Sequence, residues 1–307
     1  MNWIALSNGF HSFLLLERSN SKNTITAYLH DLKLFEQHLN NYPDLVNIQS
    51  IKLDHLQSFT KVLNDIELAA SSQARIISGV KAFFRYLLIE NILEDDPSEL
   101  LEAPKTDRKL PDVLSVEEIN LLLNSIDRST PEGERNRAML ETLYGCGLRV
   151  SELTDLRLSR LSFNEEYIRV LGKGNKERLI PIGRTAIKHI QIYIDNFRKH
   201  HVIVKGNEDI LFLNRRGKKM SRVMVFIMVK KYTQMAGIHK TISPHTFRHS
   251  FATHLIENGA DLRSVQEMLG HASIITTEIY THLDRRFLRD TILHYHPRSI
   301  SKRTNNE

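Results

Sequence analysis

"EYIRVLGKGNKERLIPIG", residues 166–183, reads as two strands around a turn. Apolar and polar residues alternate on either side of "GKGNK", the period-2 pattern of an antiparallel hairpin, and Lys173 falls at its tip between Gly172 and Gly174. The segments around it carry a different period. Ahead of it, "LSVEEINLLLNSI" (114–126) has Ser115 as a cap and Glu118 three positions on, a capping box before an apolar helix. "ERNRAMLETLYGCG" (134–147) is a second helix that ends at glycines. Behind it, "SPHTFRHSFATHL" (243–255) offers Ser243 as N-cap and Pro244 at the first helical position, and Gly259 and Gly270 are candidate helix stops. A mainly α fold with a small antiparallel β-sheet is expected for this half of the chain.

The first hundred residues read as helices alone. In "NTITAYLHDLKLFEQHL" (23–39), Ile25, Tyr28, Leu29, Leu32 and Phe35 recur every three or four positions, and "ARIISGVKAFFRYLLIENIL" (74–93) repeats the pattern with Ile76, Val80, Phe83, Phe84 and Leu87. These stripes are expected to be core. Pro97, Pro104 and Pro111 punctuate the acidic stretch that follows, which places a linker near 103–112. A chain of 307 residues is too long for one ordinary core. The expected domains are therefore 1–105, helical, and 106–307, α+β.

Charge divides along the same line. Residues 1–107 hold 9 Lys and Arg against 14 Asp and Glu, whereas 108–307 hold 33 against 22, so the excess of +11 in the second part points to a polyanionic partner, most simply nucleic acid. The longest apolar runs, such as "VMVFIMV" (223–229), are far shorter than the roughly 20 residues that cross a bilayer. No membrane role is expected. The amino terminus lacks a basic region and a small-residue cleavage site, so a cytoplasmic location is expected. Cys146 is the only cysteine; it forms no internal disulfide and argues against a Cys-based zinc site.

Four separated stretches carry polar groups that a structural pattern does not need: "YGCGLRVSEL" (144–153), "LGKGNKERLIPI" (171–182), "SPHTFRHSFATHL" and "EMLGHASIITTEIYTHL" (267–283). Arg149 follows a glycine break, His245 and Arg248 share one helix face, His271 follows a glycine stop, and Tyr280 sits in a polar segment. Arginine forks suit non-bridging phosphate oxygens, and lysine, histidine and tyrosine suit proton and phosphoryl transfer. Taken singly, each has a plainer reading. A lysine at a glycine-rich tip is usually solvated, and "GKG" is no Walker motif because Ser or Thr does not follow. His245 and His249 have the spacing of a metal pair without the glutamate of H-E-x-x-H, so no metal is expected. His249 and His254 are expected to be structural. Glu152 either orients Arg149 or faces solvent, and the orienting role is favoured. The run at 215–219, Arg215, Arg216, Lys218 and Lys219 around a glycine, is either a solvated loop or a set of phosphate contacts, with phosphate contact favoured.

Together the four stretches, in this order, resemble the signature of the tyrosine recombinases of the phage integrase family, especially the Xer type. "SKNTITAYLHDLKLF" and "RIISGVKAFFRYL" resemble that family's amino-terminal DNA-binding domain, and the likeness runs through "YHPR" (295–298). Departures are small: Cys146 stands where threonine is more usual, and "DDP" (95–97) replaces an Asn-Pro. The resemblance implies a two-domain clamp, with a core-binding domain and a catalytic domain around duplex DNA. It implies Tyr280 as the nucleophile that forms a 3′-phosphotyrosyl bond, Arg149 and Arg248 as the phosphate clamp, and Lys173 as general acid. His245 would assist proton transfer, and His271 would hydrogen-bond the phosphate. Because the phosphotyrosine keeps the bond energy, neither ATP nor any cofactor or metal is required. The implied assembly is a homo- or hetero-tetramer on a double-stranded DNA site, with a second related recombinase and a septal DNA translocase as candidate partners.

Rival readings share much of this chemistry. A type IB topoisomerase would use the same nucleophile and clamp without exchanging partners, and a DNA-binding architectural protein with a decayed site would keep the charge alone. Within the family, a helical domain that begins in the first twenty residues favours chromosome or plasmid dimer resolution over a mobile-element integrase.

Overall fold

The computed structural model describes residues 2–104, 112–172, 177–270 and 282–299. It divides into two compact units, Met1–Lys109 and Leu110–Glu307. The first contains α1 (Trp3–Leu16), α2 (Lys22–Leu39), α3 (Leu53–Asp65) and α4 (Ala70–Ile89), of which α2 and α4 carry the stripes expected from the periodicity. Their seam is aromatic. Phe10 meets Phe83 with ring centroids 5.4 Å apart, and Phe35 meets Phe59 at 5.2 Å and Phe84 at 6.0 Å, in the edge-to-face arrangements that ring quadrupoles favour. Ser21 caps α2 by accepting from the Thr24 N–H at 3.2 Å.

The second unit is built on two buried helices. After α5 (Val116–Asn124) comes α6 (Pro131–Gly145), capped by Thr130, which accepts from the Gly133 N–H at 3.1 Å. The capping box at α5 is formed, with the Ser115 N–H on Glu118 at 2.7 Å and the Glu118 N–H on Ser115 at 3.2 Å. Met139, Leu140, Leu143 and Tyr144 of α6 are fully buried, so this helix is the axis of the core. Short α7 (Val150–Thr154) follows at once, then β1 (Leu161–Ser162), β2 (Tyr167–Leu171) and β3 (Glu177–Pro181). They form one antiparallel sheet in the order β1-β2-β3, with Ile168 opposite Ile180 and Val170 opposite Arg178.

Helix α8 (Arg184–Asn196) precedes α9 (Arg222–Met235), which contains the "VMVFIMV" run. Val225, Met228 and Val229 of α9 face the core, while Val223, Phe226 and Ile227 are exposed. The second buried helix, α10 (Pro244–Glu257), sends Phe247, Phe251 and Leu255 inward. Helix α11 (Leu262–Leu269) ends at Gly270 in the left-handed conformation, and α12 (His282–Tyr295) closes the unit. Beyond α12, His296 packs on Tyr144 with centroids 4.7 Å apart, and Arg298 pairs with Glu141 at 3.2 Å, so both grip α6. No helix among the described residues is long and apolar enough to cross a membrane.

Candidate active site

The turn from α6 into α7 positions the first arginine. Gly147 sits at φ +57°, and a Cβ there would lie 2.5 Å from the Phe251 ring, so only glycine fits between the two helices. Two residues on, Arg149 is the N-cap of α7. The Glu152 carboxylate, one turn into the helix, accepts from the Arg149 backbone N–H at 2.8 Å and from its Nη1 at 2.9 Å. Of the two roles open to Glu152, solvent-facing and orienting, the geometry is that of the second.

The next arginine comes from α10. The Ser243 N–H donates to Thr246 Oγ1 at 3.1 Å to start this helix, and Arg248 lies buried within it. Arg248 Nη1 donates to the Gly147 carbonyl at 2.8 Å and Nη2 to the Leu269 carbonyl. A third arginine, absent from the sequence-based set, completes the cluster. Arg178 on β3 grips Glu152 with both prongs, Nη1 on Oε1 at 2.6 Å and Nη2 on Oε2 at 2.9 Å. Its Nε donates to the Met268 carbonyl at 3.1 Å. The alternation of β3 held a signal for this residue, because Arg178 stands two positions from buried Ile180 and so shares its inward face.

A helix leaves its last carbonyls without intrahelical donors. At the end of α11 three successive ones are taken by three different arginines: Met268 by Arg178, Leu269 by Arg248 and Gly270 by Arg149, the last at 3.3 Å. The negative end of the helix dipole and one carboxylate thus hold three guanidinium groups together. The charge is still unbalanced toward positive. Burial, then the like charges of Arg149 and Arg178, push the Arg248 pKa down to about 10, against the opposing pull of Glu152. Burial opposes ionisation of Glu152, but hydrogen bonds and charge from Arg178 and Arg149 hold its carboxyl below the ordinary range. Three guanidinium groups thus stand against one carboxylate.

His245 lies on the first turn of α10 with its ring exposed, three residues before Arg248. Lys173, His271 and Tyr280 lie outside the described residues. His254 is buried, with Nδ1 2.8 Å from the Tyr144 hydroxyl, as expected of a structural histidine. His249, grouped with it above, is exposed instead, because α10 turns only one face to the core. The basic run at 215–219 forms a tight turn in which the Asn214 N–H donates to the Lys218 carbonyl at 2.7 Å. Gly217 is at φ +69°, and a Cβ there would lie 2.0 Å from the Val202 carbonyl oxygen. Within the run, Lys219 pairs with Asp155 and Arg215 lies 3.8 Å from Glu132, whereas Arg216 and Lys218 are exposed and make no ion pair among the described residues.

Known proteins match both units. Residues 112–286 match the Phage integrase family, and residues 8–91 match the phage integrase N-terminal SAM-like domain. The chain belongs to the phage integrase family. It is a tyrosine recombinase, an enzyme of site-specific recombination, as the four motifs imply. Tyrosine recombinase XerD of Oceanobacillus iheyensis is 43% identical over 295 residues, which cover 96% of this chain and 99% of that protein. XerD of Chlorobaculum tepidum is 44% identical over 299 residues, covering 96% and 97%. Among solved structures, the recombinase XerH bound to a palindromic difH substrate in a post-cleavage complex is 25% identical with a TM-score of 0.67, covering 90% of this chain and 81% of that one. The Tn1549 transposon integrase in complex with circular-intermediate DNA shares the fold at 23% identity, with a TM-score of 0.70 and coverage of 88% and 92%.

Proposed function

We propose that the chain binds a specific double-stranded DNA site and exchanges strands there by two successive transesterifications. The observation that carries this reading is the cluster of Arg149, Arg178 and Arg248 around Glu152, a preorganised seat for one phosphodiester. Tyr280 attacks the phosphorus, forming a 3′-phosphotyrosyl bond and releasing a 5′-hydroxyl. A 5′-hydroxyl from another strand then attacks the phosphotyrosine and restores Tyr280. Arg149 and Arg248 hold the non-bridging oxygens, and they stabilise the charge that builds there as the phosphorus becomes five-coordinate. Lys173 protonates the departing 5′ oxygen. His245 assists proton transfer at the tyrosine, whose ordinary pKa of about 10 otherwise leaves it a poor nucleophile at neutral pH. His271 hydrogen-bonds the phosphate.

The cellular role in this reading is resolution of chromosome or plasmid dimers before division, in the cytoplasm. Support comes from the near-full-length match, at 42–44% identity, to several proteins named XerD. Exchange between two duplexes uses four active sites, so the active species is a tetramer on two sites. Its subunits are copies of this chain alone or alternate with a second recombinase, and a septal DNA translocase is the candidate activator. The test is sequencing of genomic DNA trapped on the enzyme, followed by incubation with a plasmid carrying the recovered site twice. Recombinant circles are expected. Relaxation of the plasmid without recombinants would replace this reading with a topoisomerase.

A further inference from the structure

We infer that Arg178 is a positioning residue for the phosphate clamp: its two-pronged grip on Glu152 fixes the carboxylate that in turn aims Arg149. The inference rests on the transesterification reading above. Arg178 acts through Glu152 in this arrangement: it is buried, each Nη donates to Glu152, and its Nε donates to the Met268 carbonyl. Glu152 has two oxygens, and each accepts one prong of Arg178. Its remaining acceptor capacity goes to the Arg149 backbone N–H and Nη1. A carboxylate held by a fork has its plane fixed, whereas one held by a single donor turns about that bond. The side chain of Arg149 is 31% exposed, and among the described residues Glu152 is its carboxylate partner and the Gly270 carbonyl, at 3.3 Å, its other acceptor, so its direction depends in part on where Glu152 points. The same guanidinium ties β3 to the end of α11 through the Met268 carbonyl. It therefore joins the strand that follows Lys173 in the chain to the helix that precedes His271.

The charges around Glu152 make the inference separable from a purely structural role. Arg149 faces it from the start of its own helix, Arg178 from β3, and Arg248 from α10 at 4.0 Å. Glu152 also lines a cavity together with Asp155, Arg157, Arg160, Arg169 and Lys219. With Arg178 replaced by an apolar residue, the burial that opposes ionisation meets less compensation, and the carboxyl titrates at higher pH. Protonated Glu152 no longer pairs with Arg149. Cleavage is then lost as pH falls through that new value.

The experiment measures single-turnover cleavage of a nicked site across pH for the full chain, R178M and R178K, with DNA affinity and thermal unfolding in parallel. At neutral pH R178M should cleave about 10²-fold more slowly, the scale for a reacting group misplaced by about an ångström. The acid limb of its profile should lie about one pH unit or more above that of the wild type, and DNA affinity should be retained. R178K keeps the cation and loses the fork, so its acid limb should stay near the wild type while its rate falls. Equal slowing of R178M and R178K at every pH, in proportion to lost thermal stability, would overturn the inference. Absence of any cleavage by the wild type on a site that it binds would overturn the recombinase reading and the inference with it.

Discussion

The Arg248 guanidinium donates to the carbonyl of Gly147, 2.8 Å away and 101 positions earlier in the chain. This bond joins the second turn of α10 to the turn that launches α7, and so sets Arg248 relative to Arg149. The turn accepts nothing larger than glycine, because Phe251 fills the space where a Cβ would stand.

Gly147→Ala should accordingly destabilise the second unit by about 1–3 kcal/mol, the usual cost of overpacking a core, with the strained left-handed backbone adding to it. Cleavage should fall further than this loss of folded protein explains, since the carbonyl that holds Arg248 moves. Urea unfolding and single-turnover cleavage, measured on the same sample, check both parts. A stable variant with normal cleavage would mean that the turn does not set the clamp.

The basic turn at 215–219 offers less unpaired charge than its composition suggests. With Lys219 on Asp155 and Arg215 near Glu132, Arg216 and Lys218 are the cations of the run with no ion pair among the described residues. Replacing both by alanine should weaken binding to specific and random DNA alike and lower the log–log salt slope by about 2, roughly one unit per phosphate contact. Sequence preference should survive. A slope equal to that of the wild type would leave this turn as a solvated loop.

Much of this was legible in the chain before the fold was known. Ser115 with Glu118, the paired strands on either side of "GKGNK" and the aromatic stripes of 23–39 and 74–93 are local patterns, set by residues near each other in the chain. Arg149 and Arg248 stood out because polar groups at helix starts have no core to serve. Arg178 was passed over for the opposite reason. Inside "KERLIPI" its charge masks the inward position that it shares with Ile180, and the group that makes it useful, the end of α11, is 90 positions further on. The convergence of three arginines on three successive carbonyls is a tertiary fact, which no window of sequence contains. His249 shows the reverse error: near His254 it looked structural, yet it sits on the outer face of the same helix.

Two buried histidines give the fold a defined acid limb. Burial, with Arg298 and His254 nearby, pushes the His296 pKa down to about 3; burial, with Arg137 and Arg128, pushes His189 down to about 4. In the unfolded chain both titrate near 6.5. As pH falls below that value the unfolded state takes up protons that the folded state refuses. Stability should therefore decline from about pH 6.5 toward 4 by about 1.4 kcal/mol per pH unit for each histidine. His296→Gln should make the decline shallower by one proton in urea titrations at pH 5 and 7. An unaltered slope would show that His296 binds its proton equally in both states.

Lys173 is testable through the leaving group. A general acid matters only while the departing 5′ oxygen leaves as a high-pKa alkoxide. Lys173→Ala should be severely slow on ordinary DNA and recover on a substrate whose bridging 5′ oxygen is replaced by sulfur, which leaves without a proton. Equal slowing on both substrates would give the lysine a positioning role and pass the proton to a histidine, with His245 first.

In the proposed reaction DNA becomes covalently joined to this chain through Tyr280. The most direct measurement is peptide mass mapping of the adduct formed with a nicked DNA site, with Tyr280→Phe run beside the wild type. The account predicts a single DNA-modified peptide containing Tyr280, retained DNA binding by the variant, and no adduct in it. A modified peptide from another part of the chain, or an adduct that survives in Tyr280→Phe, would contradict it.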